Sequence, residues 1–78
     1  MEPPKLCAEL KPALKRVFPT AAKVILHAKM TTYGIEDHLY AYDHLDRPLL
    51  PLRPLEMPEL QDALREKYGG GYVMIQAA

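Results

Sequence analysis

The chain has 78 residues, 49% hydrophobic and 26% charged, with ten Lys and Arg against ten Asp and Glu. This composition excludes a disordered chain, and a formal charge of zero weighs against both a basic nucleic-acid-binding domain and an acidic nucleic-acid mimic. A lone cysteine, Cys7, excludes an internal disulfide and a cysteine-rich zinc site.

Residues 1–78 are expected to form one small domain, which buries only about 60–65% of its unfolded surface, so its stability is modest or aided by a partner. MEPPKL has neither the basic start nor the apolar run of a signal peptide, and no stretch approaches the roughly 18 apolar residues of a membrane span. A cytoplasmic location without membrane association is therefore expected. Charge is unevenly placed: residues 1–35 carry six Lys or Arg against two Glu, and residues 36–78 carry four against eight Asp or Glu. Folding is expected to bring the two halves into mutual neutralisation.

From Pro4 to Phe18, Leu6, Leu10, Ala13, Leu14, Val17 and Phe18 recur at helical spacing. Pro12 either opens a short helix running to Phe18 or kinks a longer one, and Pro19 closes it in both cases. Lys23–Asp43 alternates as two strands of a hairpin. Val24, Leu26, Ala28 and Met30 share one face with Leu39 and Ala41. Ile25, His27 and Lys29 share the other with His38, Tyr40, Tyr42 and His44. A turn near Thr32–Ile35 around Gly34 sets Leu26 opposite Ala41, His27 opposite Tyr40, Ile25 opposite Tyr42 and Lys29 opposite His38.

Residues 47–55, RPLLPLRPL, favour an extended polyproline conformation. Pro48, Pro51 and Arg53 fit a short Pro-x-x-Pro-x-Arg pattern, but the density of leucine favours a structural strap that packs on the domain. Pro58–Tyr68 has a proline near its start, Glu59 and Asp62 in its first turn, Arg65 and Lys67 in its last and Gly69 as its cap, which together define a helix. Gly69, Gly70 and Gly71 follow that helix, so they read as a turn and not as a phosphate-cradling loop. Tyr72–Ala77 is the last strand, with Val73, Ile75 and Ala77 on one face and Tyr72, Met74 and Gln76 on the other.

The order αββαβ implies an α+β fold: a three-stranded sheet of order 2-1-3 with two helices packed on one face. The second face then carries Ile25, His27, Lys29, His38, Tyr40, Tyr42, His44, Tyr72 and Met74, a composition suited to binding. It is either open or roofed by the strap from Leu49 to Leu55.

Metal binding finds little support, since His38 and His44 lie about 20 Å apart along a strand and the diagonal pair His27 and His38 has no third ligand. No nucleophile with a base, paired carboxylates or cofactor fingerprint is present, so neither an enzyme nor a bound cofactor is expected. The leading expectation is a non-enzymatic protein-binding module: an adaptor, an accessory subunit or an inhibitor of the phage or mobile-element type. Single-stranded nucleic acid bound through the same tyrosines is the alternative, and pairing of a free sheet edge into a homodimer is a third route to association.

Overall fold

The computed structural model describes residues 3–69 and 71–77. In chain order these form α1 (Lys11–Val17), β1 (Lys23–Thr31), β2 (Gly34–Tyr42), α2 (Met57–Tyr68) and β3 (Tyr72–Gln76), with a 3₁₀ turn at Pro54–Glu56 before α2. The sheet has order β2-β1-β3, and β1 is antiparallel to both neighbours. This is the α+β arrangement expected from the element order. The two helices share one core with a single sheet face: Leu14 and Val17 of α1 and Leu60 and Leu64 of α2 pack with Val24, Leu26, Leu39, Ala41 and Ile75.

Proline decides where α1 begins. Pro12 occupies the first turn, where its missing N–H costs no helical bond, so the short-helix alternative holds. Residues before it do something else. Pro4–Leu6 runs parallel to the outer edge of β3, with the Gln76 N–H donating to the Pro4 carbonyl at 2.8 Å and the Leu6 N–H to the Gln76 carbonyl at 2.7 Å. Leu6 is buried from this extended segment and not from a helix. Tyr68 fastens it: its hydroxyl donates to the Lys5 carbonyl (2.9 Å) and accepts from the Cys7 N–H (2.8 Å).

The hairpin register differs from expectation by two residues. Leu26 faces Leu39, Val24 faces Ala41 and Thr31 faces Gly34, so only Thr32 and Tyr33 lie between the strands. The Thr31 hydroxyl closes this tighter turn, donating to the Gly34 carbonyl at 2.9 Å and accepting from the Tyr33 N–H at 3.2 Å. Gly34 supplies the positive φ, +124°. A two-residue slip leaves every side chain on its predicted face, because the period of a strand is two. His44 is displaced: β2 ends at Tyr42, and His44 lies in the following turn.

That turn is held by Asp43, the one buried charged side chain among the described residues. Asp43 accepts from the backbone N–H groups of Leu45 and Arg47, both at 2.9 Å, and from Arg47 Nε at 2.8 Å. The Arg47 amide above all, with the Arg47 guanidinium and Leu45 amide adding to it against a cost in burial, keeps its carboxyl below the ordinary carboxylate range. The turn delivers Pro48 and Leu49 to the edge of β2, where the Leu49 N–H donates to the Ala41 carbonyl at 2.9 Å. The strap then passes to the helical side, with the Leu52 N–H on the Val17 carbonyl at 2.8 Å.

The strap's leucines correct a second expectation. Only Leu49 packs against the core; Leu50 is 91% exposed, and Leu52 and Leu55 are exposed as well. The inner sheet face is already filled by helices, which leaves these side chains nothing to pack on. Two ion pairs join the oppositely charged halves of the chain, Arg16 to Glu56 at 3.0 Å and Lys23 to Asp46 at 2.8 Å.

Candidate functional site: the open sheet face

Because the strap goes around the edge of β2, it does not cross the outer face. The outward residues form rows across the three strands in the order β2, β1, β3: Tyr42, Lys23, Gln76; then Tyr40, Ile25, Met74; then His38, His27, Tyr72. Glu36 and Lys29 make a fourth row beyond the end of β3. Eight of the nine residues expected on this face are on it; His44, in the turn beyond the end of β2, is the exception. Their neighbours differ from expectation: His27 sits directly across from His38 and not from Tyr40, Ile25 across from Tyr40, and Lys29 across from Glu36. Hydrophobic alternation fixes which face a residue takes but is blind to a slip of two.

The face is ordered by contacts among its own side chains. The His27 and Tyr72 rings meet edge to face, with centroids 5.4 Å apart and an interplanar angle of 74°. His38 and Tyr40 lie nearly parallel at 6.1 Å and 9°. Lys29 Nζ stands 5.7 Å from the centre of the Tyr40 ring, and Lys23 Nζ 5.3 Å from that of Tyr42. Hydrogen bonding to Asp46 holds the Lys23 amine above its ordinary pKa, which keeps it charged. These contacts leave substantial area uncovered: Tyr72 is 65% exposed, and Tyr40 and Met74 are each 37% exposed.

Two features escaped sequence reasoning. Glu36 belongs to the face, on the same strand parity as His38, with a carboxylate oxygen 3.6 Å from His38 Nε2. Met30, expected in the core, is 82% exposed. The covering elements stop short of it: Gln61 and Arg65 of α2 reach β2 only at Asp37, and β3 begins opposite His27. The hairpin therefore projects beyond the helices, with Met30 paired to Ile35 and Tyr33 at the tip.

The sheet edges are largely occupied among the described residues. Pro4–Leu6 takes the outer side of β3, residues 47–49 take one end of β2, and the Gln61 side chain donates to the Asp37 carbonyl. No three His, Cys, Asp or Glu side chains converge to hold a metal ion, and no helix is long and apolar enough to cross a membrane, among the described residues. The chain matches no protein-family model, no curated protein and no solved structure.

Proposed function

We propose that the chain is a small non-enzymatic protein-binding module, acting in the cytoplasm as an adaptor, accessory subunit or inhibitor, and that its partner rests on the Ile25, His27, Tyr40, Tyr72 and Met74 surface. The observation that carries this reading is the uncovered face: helices take one side of the sheet, the strap avoids the other, and the exposed side chains are tyrosine and methionine. Rings already braced by their neighbours lose little further freedom on binding. The test is affinity capture from the native host with the wild type and the Tyr40→Ala/Tyr42→Ala variant. Retention of the partner should fall by more than about tenfold, the loss of a central aromatic contact, while circular dichroism shows the fold intact. Unaltered capture, or an unfolded variant, would sink the proposal.

A second reading rests on the two lysines placed over Tyr40 and Tyr42, an alternation of cation and ring that suits single-stranded nucleic acid. It calls for oligonucleotide binding that weakens steeply with salt; absence of binding at low salt removes it. Pairing of the β2 edge in a homodimer is a third arrangement, which requires the Gln61 contact at the Asp37 carbonyl to open and which sedimentation resolves directly.

A further inference from the structure

A second surface lies on the opposite side of the molecule, independent of the open sheet face. Where α1 and α2 face each other, the side chains are small, Ala13 on one and Ala63 on the other. Two hollows result, of about 280 Å³ and 380 Å³, and Ala63 borders both, so they make one trough along α2. Its floor is apolar: Leu10, Ala13, Val17, Leu60 and Ala63.

The rim is charged and mostly acidic. Glu56 and Glu59 stand over the first hollow and Glu9 and Glu66 over the second, against Arg16 and Lys67. Arg16 is already engaged by Glu56 at 3.0 Å, whereas Glu9, Glu59 and Glu66 make no ion pair among the described residues. Lys11 and Lys15 do not offset this, since each is two residues from Ala13 and so about 200° around α1, on its far side.

Spacing identifies the shape of the occupant. On α2 the first hollow is bordered by Glu59, Leu60 and Ala63 and the second by Ala63, Glu66 and Lys67, so the two are offset by four to five residues. Four to five residues of helix rise about 7 Å, close to the separation of positions i and i+4 on a third helix laid alongside. We infer that the trough between α1 and α2 is a docking site for a basic amphipathic helix of another protein, whose apolar side chains at i and i+4 enter the two hollows. The two anchors straddle Ala63, and the lysines or arginines of that helix meet Glu9, Glu59 and Glu66.

The experiment titrates the isotope-labelled full chain with two synthetic helical peptides that share leucines at i and i+4, one flanked by lysine and the other by glutamate. The lysine peptide should saturate, move the amide resonances of Leu10, Ala13, Leu60 and Ala63, and leave those of Tyr40 and Met74 in place. It should bind at least tenfold more tightly than its glutamate counterpart. Ala63→Leu, which fills the trough, should weaken it at least tenfold. The exposed Glu59→Gln/Glu66→Gln pair should weaken it too, with no packing to disturb.

Absence of saturable binding, equal affinity for the two peptides, or affinity unchanged in both variants overturns the assignment. So do shifts confined to the sheet face, which would instead favour the surface proposed above. Trough resonances that move with protein concentration alone overturn it in favour of a second copy of the chain.

Discussion

Val24 and Ile25 are neighbours in β1, yet Val24 is fully buried beneath the helices while Ile25 lies half-buried between Tyr40 and Met74 on the open side. The same contrast recurs between Ala41 and Tyr40 in β2 and between Ile75 and Met74 in β3. On the inner face, aliphatic side chains meet aliphatic side chains, and removing one leaves a hole that the surroundings fill only in part. On the outer face, rings and ammonium groups touch one another and then water, so a lost side chain is replaced by solvent. One sheet thus separates the residues that hold the fold from residues free to serve another purpose.

The largest effect that this contrast predicts is on the inner side. Leu64→Ala removes a side chain with no solvent exposure and should cost about 2–5 kcal/mol, a large part of the roughly 4–12 kcal/mol available to a domain of this size; denaturant unfolding reads it directly.

Asp43→Asn should come next, because its carboxylate anchors the turn between β2 and the strap. Its pH dependence carries a sign. The folded carboxyl lies below its ordinary value of 3.8, so its contribution is complete above that value and is lost as pH falls through the lower folded one. The stability gap between wild type and Asp43→Asn should therefore be wide at pH 7 and close below about pH 4. A gap that stayed constant through acid would remove the carboxylate from the account.

The smallest effect belongs to the outer face. Tyr72→Ala should change stability by less than about 1.5 kcal/mol, the scale of one aromatic pair. If calorimetry places Tyr72→Ala alongside Leu64→Ala, the outer face is a second core and the distinction between the two sides fails.

How much of this was legible in the sequence follows from what alternation can and cannot encode. The parity of Val24, Leu26, Leu39, Ala41 and Ile75 assigns the core face, and with it every outward residue from Ile25 to Met74. Pairing is not in that signal. Moving Leu26 from Ala41 to Leu39 changes no side chain's face, and the choice lies with the Thr31 hydroxyl at a tight turn.

The strap misleads for a different reason: leucine favours burial only where there is room, and helices had taken the only apolar face on offer. Leu6 fits a helical stripe in sequence, but Pro12 starts α1 later and the segment bonds to β3 instead. The trough between the helices was hidden because Ala13 and Ala63 are unremarkable members of two apolar stripes until tertiary structure sets them face to face.

The parallel bridge between Lys5 and Gln76 joins some of the first residues of this sequence to some of the last. During synthesis, Pro4–Leu6 leaves the ribosome before β3 and has no strand to bond to until Tyr72–Gln76 has followed α2 out of the exit tunnel. Leu6, buried in the finished domain, lacks β3 as a neighbour for that interval. The sheet edge is thus completed after translation of β3, whatever the hairpin has done in the meantime.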